Sequence, residues 1–383
     1  MAKRLKAAVV GTGFMGRVHL EQLQRVENVD VVAVVGRELK SAQKLAAGYG
    51  VEATDDYRKL LQSSELDAVH VCTPNAMHYP MVKEALQAGK NVLCEKPVTT
   101  TVEEARELQA LAAKTKLRNC VCHNLRYYPM VQQMRRMRES GALGDILVVQ
   151  GTYSQDWMLY PTDWNWRVEA QISGASRVMG DIGSHWFDMI EHLTGLRVKS
   201  LCADFQTFHK TRKKPKRSVE TFTGKMPSAE DVDDYPVATE DFGTVIFHLG
   251  DKARGAMTAS QVSAGNKNAF KFEIYGTKSS VAWNQERPDE LWIGHRNDPN
   301  QIIIKDPSLL LDGARSYADL PGGHSEGYDD TFKQVFRRFY QSIADPGAPL
   351  EYPQIADGLR QMNLLTAEFE SHRTRAWVNV PNP

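Results

Sequence analysis

Cysteine is scarce in this chain of 383 residues: there are five, an odd number, in strand-like apolar runs around Cys72, Cys94, Cys120, Cys122 and Cys202. That excludes a disulfide scaffold and points to buried, reduced thiols. Cys120 and Cys122 have no matching second pair nearby, so they do not read as a metal site, and no metal is expected. Excess charge is also missing, since 47 Lys and Arg balance 47 Asp and Glu. No net field therefore draws the chain to nucleic acid or to an anionic membrane, and a small neutral partner fits better. No apolar run approaches the roughly 20 residues that cross a bilayer. The start, MAKRLKAAVVG, is apolar only from Ala7 to Val10 before a glycine, and reads as cytoplasmic without a signal peptide. Internal repeats and low-complexity tracts are absent as well.

What is present is enough hydrophobic sequence, 42%, for sizeable cores, and a length that suits two domains. Over residues 1–123, β-branched runs at 6–11, 31–35, 67–72, 91–95 and 119–123 alternate with amphipathic segments at 14–26, 38–48, 76–88 and 102–115. That alternation predicts an α/β domain, a parallel sheet with helices on both faces. Thr101 and Glu104 form a capping box for the last of these helices. From residue 124 to 383 the order changes. A helix at 126–139, a strand at 144–154 and a helix at 179–194 precede strands at 197–208, 242–249, 253–262, 268–275 and 279–283. Helices at 326–344 and 353–371 and a strand at 377–380 follow. This predicts an α+β domain with a mostly antiparallel sheet, whose C-terminal segment is free to pack back on the first domain. KTRKKPKR at 210–217 reads as a solvated loop or a subunit-crossing excursion.

GTGFMG at 11–16 fits G-x-G-x-x-G, follows a β-branched strand and opens a helix. In that context Gly11 serves the tight turn, Gly13 the approach of a pyrophosphate and Gly16 helix packing, with Phe14 and Met15 beside them. The end of the second strand, where the ribose is read, holds Gly36, Arg37 and Glu38. No aspartate stands ready for a ribose diol there, and Arg37 can meet a 2′-phosphate, so the cofactor is NAD(P) with a lean to NADP. Stacking of Arg37 on adenine in an NAD site is the alternative. Two more stretches lie at carboxyl ends of strands, where open α/β sheets bind ligands: Thr73, Pro74, Asn75 and His78 in CTPNAMH, and Glu95 and Lys96 in CEKPV.

GDIGSHWFD at 180–188 puts Asp181 and His185 four residues apart, a spacing that stacks them on one helix face. They could be catalytic, or a capping pair with no chemistry. Asp188 and His192 extend the stripe, but a metal site would need further ligands. Residues 153–167, YSQDWMLYPTDWNWR, interleave Trp157, Trp164 and Trp166 with polar side chains including Arg167. Flat rings beside directed polar groups suit a carbohydrate, and packing under the sheet explains the same aromatics equally well. Asn124, Arg126 and Tyr127 in HNLRYYP, and His324 in PGGHSEG, are further substrate candidates.

Taken together and in this order, GTGFMG, TPNAMH, EKP, DIGSH and PGGHSEG resemble the Gfo/Idh/MocA oxidoreductases, the family of glucose-fructose oxidoreductase and inositol dehydrogenase. The resemblance spans nearly the whole chain. It implies a Rossmann domain followed by an α+β domain with a large open-faced sheet, and often a homodimer or homotetramer built through that sheet. It also implies NAD(P)-linked dehydrogenase chemistry on a secondary hydroxyl of a carbohydrate or cyclitol such as inositol, an anhydrosugar included, with Lys96, Asp181 and His185 catalytic. One departure is that the glycine run before the helix is ISGASR, keeping only Gly174. His185 suits a base, Lys96 can stabilise the reacting oxygen or share the proton, and Asp181 can orient the imidazole. Two alternatives stay open: an NAD-dependent glycosidase of the same superfamily, and a non-catalytic NAD(P)-sensing binding protein.

Overall fold

A computed structural model describes residues 4–216 and 231–382. Among the described residues, six strands form one parallel sheet: β1 (Leu5–Val10), β2 (Val29–Val35), β3 (Glu52–Thr54), β4 (Ala68–Val71), β5 (Asn91–Cys94) and β6 (Asn119–Val121), in the order β3-β2-β1-β4-β5-β6. The order reverses between β1 and β4, which opens a crevice at the carboxyl ends of the strands. Helices α1 (Phe14–Leu23), α2 (Leu39–Ala46), α3 (Tyr57–Leu61), α4 (His78–Gln87) and α5 (Val102–Ala113) make the connections. All four residues of β4 are buried, as expected of a strand covered on both faces. Half of the capping box forms: Thr101 Oγ1 accepts from the Glu104 amide at 3.3 Å, but the Glu104 carboxylate accepts from the amide and hydroxyl of Thr100, one residue before the N-cap, instead of from the Thr101 amide.

Helix α6 (Pro129–Glu139) leads into the second sheet through β7 (Ile146–Ser154). The short α7 (Ala170–Ser173), a π turn at Met179–Gly183 and helix α8 (Ser184–Thr194) come next. Then follow β8 (Val198–Gln206), β9 (Thr211–Pro215), β10 (Val232–Pro236), β11 (Phe242–Leu249), β12 (Ala253–Ser260), β13 (Ala269–Gly276), β14 (Ser280–Asn284), β15 (Glu290–Gly294) and β16 (Gln301–Ile304). Helices α9 (Tyr328–Ala344) and α10 (Ile355–Thr374) and strand β17 (Val378–Asn379) end the described chain. Nine of these strands pair as β16-β15-β14-β13-β7-β12-β11-β8-β17, antiparallel except for β7 beside β12. α8 buries Trp186, Phe187, Met189 and Ile190 against one face of this sheet.

Cross-strand register puts Ile246, Ala256, Gln150, Glu273, Ala282, Trp292 and Ile302 in one row. Ile246 and Ile302 are exposed, so this row marks the open face. A groove of about 730 Å³ runs along it.

The chain returns to the first sheet at α9, whose Phe332, Val335, Phe336 and Phe339 pack with Val9, Leu20 and Leu93. α10 packs Ile355, Leu359 and Met362 against Val98, Leu108 and Val121, while its Leu364 and Ala367 join the core of the second sheet.

Several expectations need correction. β3 and α3, β15 and β16 were not foreseen; each is five residues or fewer, too short for a period to show. The basic stretch expected as a loop forms β9, paired antiparallel with β10, where Lys213 lies opposite Asp234 and Lys214 opposite Asp233. Its acidic counterpart neutralises it. Residue 217 of that stretch lies outside the described residues.

Candidate active site

The glycine loop leaves β1 through Gly11, at φ +120°, where a Cβ would stand 2.5 Å from the Cys72 carbonyl oxygen. Only glycine fits there. A Cβ on Gly16 would lie 2.0 Å from the Gly11 carbonyl oxygen, whereas one on Gly13 would meet nothing within 4 Å. So two glycines close the turn against β4 and α1, and the third leaves open space over the start of α1. Gly13, the N-cap, supplies no side-chain cap and no acidic residue stands in the first turn, so those amides can receive a pyrophosphate. Phe14 is exposed beside them, and Met15 is half-buried against the core. Across the crevice, Thr73 Oγ1 is buried without a hydrogen-bond partner. An open cradle with an orphaned hydroxyl opposite fits a dinucleotide.

Two cofactor candidates take a different part. His78 is buried, with Nδ1 2.7 Å from the Pro97 carbonyl oxygen and Nε2 2.9 Å from that of Thr73. It is a strut between the two loops. Glu95 turns inward, with Oε1 2.9 Å from His19 Nε2. Both side chains sit at strand ends, but burial made hydrogen bonds inside the protein their only available partners. Asn75 donates to the Ser173 carbonyl at 2.9 Å and ties the loop to α7. Pro74 is exposed at the loop surface. Arg37 stands almost fully in solvent past β2, with Glu38 at 3.7 Å.

Lys96 donates from Nζ to the Asp181 carbonyl oxygen at 2.6 Å and to its Oδ1 at 2.9 Å. Oδ1 also accepts from Arg167 Nε at 3.1 Å, and Oδ2 from Gln261 Nε2 at 2.9 Å. Burial pushes the Asp181 carboxyl up, yet the Arg167 and Lys96 charges outweigh it and hold the group well below the usual carboxylate range. Asp181 is therefore a fixed anion. Arg167 is set in turn by Asn165, which caps the short turn Trp166–Val168, and by the Trp166 ring 4.5 Å away.

His185 belongs to this group, but not in the expected way. Asp181 lies in the π turn at Met179–Gly183, and its carboxylate is engaged by Lys96, Arg167 and Gln261 rather than by a hydrogen bond to His185. His185 makes no hydrogen bond to any described residue and touches the His123 ring edge-on at 5.5 Å. Burial, with Lys96 and His123 nearby, holds its pKa well below 6.5, so the imidazole is neutral. Both of its nitrogens are free for a substrate.

Other substrate candidates are committed elsewhere. Asn124 donates to Thr331 Oγ1, Arg126 forms a two-pronged pair with Asp188, and Tyr127 donates to the Glu351 carbonyl; Asn124 and Tyr127 are buried and Arg126 partly so. That pair also accounts for Asp188, which extends the helix stripe without offering a ligand. His324 is exposed at a loop tip and contacts none of the Lys96 group; its loop is held from beneath by buried Lys305, which donates to the carbonyls of Leu320, Pro321 and His324. Trp164 stacks edge-on to Tyr235 at 5.1 Å, and Trp157 packs in the same small cluster with Met158 and Val168. Gln261 was not foreseen. It lies just past β12 in no recognisable motif, fully buried, with Oε1 lacking a partner.

Residues 5–123 match the family described as "Oxidoreductase family, NAD-binding Rossmann fold", and residues 131–282 match "GFO/IDH/MocA C-terminal domain". The chain is 29% identical to the levoglucosan dehydrogenase of Pseudarthrobacter phenanthrenivorans over 99% of both sequences. It is 31% identical to the D-glucoside 3-dehydrogenase of Escherichia coli over 64% of this chain and 68% of that one. Among solved structures, a levoglucosan dehydrogenase in complex with NADH and L-sorbose superposes with a TM-score of 0.89 at 26% identity, covering 100% of both chains.

Proposed function

The chain belongs to the Gfo/Idh/MocA oxidoreductases, and on that premise we propose that Lys96, Asp181 and His185 carry the NAD(P)-linked oxidation of a secondary hydroxyl on a sugar, anhydrosugar or cyclitol. The observation that supports this most is the Lys96–Asp181 pair just past β5, largely shielded from solvent. The bound dinucleotide supplies the hydride acceptor. The chain's own residues handle the proton and the oxygen. Lys96, fixed by Asp181, directs an N–H at the reacting oxygen, and neutral His185 takes the hydroxyl proton. The anionic Asp181 offsets the charge that then develops on His185. Arg167 and Gln261 hold Asp181 and border the space in which the neighbouring hydroxyls lie.

The finer readings are ours as well. Arg37, with Gly36 in place of an acid, favours NADP, although the solved relative holds NADH. The outward row from Ile246 to Ile302 is a self-complementary face suited to a homodimer or homotetramer. Residues 1–123 and 124–383 form the two units, in a cytoplasmic enzyme whose described cysteines are all unpaired.

A panel of sugars, anhydrosugars and cyclitols, offered with both cofactors, tests the reading. Net formation of reduced cofactor supports it. Release of aglycone from a chromogenic glycoside without net cofactor change would support the glycosidase, and tight cofactor binding with no turnover the sensing protein.

A further inference from the structure

Beneath the glycine loop lies a row of four buried polar side chains that the reaction above does not use. Tyr340 Oη of α9 is 2.9 Å from His70 Nε2 of β4, His70 Nδ1 is 3.0 Å from His19 Nδ1 of α1, and His19 Nε2 is 2.9 Å from Glu95 Oε1. The other Glu95 oxygen accepts from the Lys96 amide at 3.3 Å. Both histidines are fully buried, and Tyr340 is 3% exposed. Phe332, Phe336, Leu93 and Cys120 surround them in the same core.

Proton counting gives the row a direction. Burial pushes the Glu95 carboxyl up, but the hydrogen bond from His19 and the nearby Lys96 charge bring it below the usual range, so it only accepts. His19 must then donate from Nε2 and accept at Nδ1. His70, kept neutral by burial, must donate from Nδ1 and accept at Nε2. Tyr340, whose phenol burial pushes well up, donates the last proton. One proton per link satisfies every group, and no reversed arrangement does so without adding a buried charge. Cys122 Sγ also lies within 4.8 Å of the His19 and Glu95 atoms, a set that could ligate a cation. A cation there would displace the N–H that Glu95 receives. Nor is the row a proton conduit, since its far end stops in the core at Tyr340.

We infer that Tyr340, His70 and His19 are positioning residues for Lys96: their one-way hydrogen-bond chain fixes Glu95, and Glu95 fixes the main chain from which the Lys96 amine reaches Asp181. This rests on Lys96 acting at the reacting hydroxyl, as proposed above.

Three variants test it. Tyr340→Phe keeps the ring stacked on His70 and removes one proton. His19→Leu removes both donor and acceptor, while His19→Gln keeps one of each. Tyr340→Phe and His19→Leu should lower kcat about tenfold with KM for sugar and cofactor within about twofold, and His19→Gln should recover most of the loss. A merely structural role would move the melting temperature without this split or rescue. If His19→Leu does not fold, Tyr340→Phe decides alone, and unchanged kcat in that variant overturns the inference.

A readout free of turnover is the imidazole ¹⁵N spectrum of the full-length protein, in which His70 should carry its proton on Nδ1. A proton on Nε2 would overturn the chain. If no polyol is oxidised by the unmodified protein, the dehydrogenase reading fails, and these spectra still decide the direction of the row.

Discussion

One ammonium group spans both polar ends of a single residue: Lys96 Nζ is bound by the main-chain oxygen of Asp181 at 2.6 Å and by its carboxylate at 2.9 Å. The π turn makes this contact available. Within it the Ser184 amide bonds to the Met179 carbonyl, and Ser184 Oγ takes the Gly180 carbonyl. Lys96 takes the Asp181 carbonyl. A lysine from the end of the first sheet thus completes a helix turn packed on the second.

Removing either proton-handling group should leave the cofactor cradle intact. Lys96→Ala and His185→Ala are each expected to lower kcat roughly a hundredfold or more, with the dissociation constant of the cofactor nearly unchanged. Steady-state kinetics alongside cofactor titration checks this. Near-normal turnover in either variant would remove that residue from the mechanism.

The glycines of the loop should separate into two kinds. A Cβ at Gly13 meets nothing, so Gly13→Ala is expected to fold with an unchanged melting temperature and lose at least about tenfold in cofactor affinity, because the methyl stands where the pyrophosphate approaches. Gly16→Ala drives a methyl into the Gly11 carbonyl and should cost stability, on the order of 1–3 kcal/mol. Thermal melts and cofactor titration distinguish the two. Equal loss of stability in both would show that Gly13 too is structural.

Stability should fall on mild acidification. His70, His123 and His185 are buried and His192 partly so, and all four have pKa values lowered from 6.5, chiefly by desolvation. The unfolded chain binds protons below pH 6.5 that the native chain refuses, so stability is complete above that value and declines as pH drops below it. Each such histidine contributes up to about 1.4 kcal/mol per pH unit. Denaturant midpoints from pH 8 to pH 5 measure the slope, and a flat profile down to pH 5 would contradict the burial of these rings as neutral groups.

The parallel sheet was legible in the sequence because β1, β2, β4, β5 and β6 lie in apolar runs bounded by turn residues and its glycine loop carries a motif, whereas β3, Glu52–Thr54, has no such run. Lys96, Asp181 and His185 were singled out by the family resemblance of EKP and DIGSH, and the structure brings Lys96 and Asp181 into contact. Their geometry was not legible: nothing in GDIGSH announces a π turn, and the spacing does not show that Lys96, Arg167 and Gln261 gather on the Asp181 carboxylate. The engagements of Asn124, Arg126 and Tyr127 were not legible, because nearness to a strand end says nothing of which way a side chain turns. The partners that draw them inward, Thr331, Asp188 and Glu351, lie more than 60 residues away in the chain. Gln261 has no sequence signal at all.

Cofactor choice is expected to turn on the end of β2. Arg37 is expected to favour NADP through a charge-assisted pair with the 2′-phosphate. Arg37→Ala should then lower kcat/KM for NADP by about tenfold or more and leave that for NAD within about twofold. This is a cleaner probe than an acid at Gly36, where a Cβ would stand 2.6 Å from Ser41 Oγ and 2.9 Å from the Glu38 carbonyl oxygen. A strong preference for NAD in the unmodified protein would place Arg37 on the adenine instead.

The most direct test follows the hydrogen itself. A polyol accepted by the protein, carrying deuterium at the carbon of the reacting hydroxyl, is incubated with oxidised cofactor and the unmodified protein, and in parallel with Lys96→Ala. The expected result is deuterium in accumulated reduced nicotinamide, matched by an equal amount of ketone, with the rate strongly reduced in the variant. Deuterium that stays in the sugar, or that returns to it while a glycosidic bond is cleaved and no reduced cofactor accumulates, would contradict a dehydrogenase built on Lys96, Asp181 and His185.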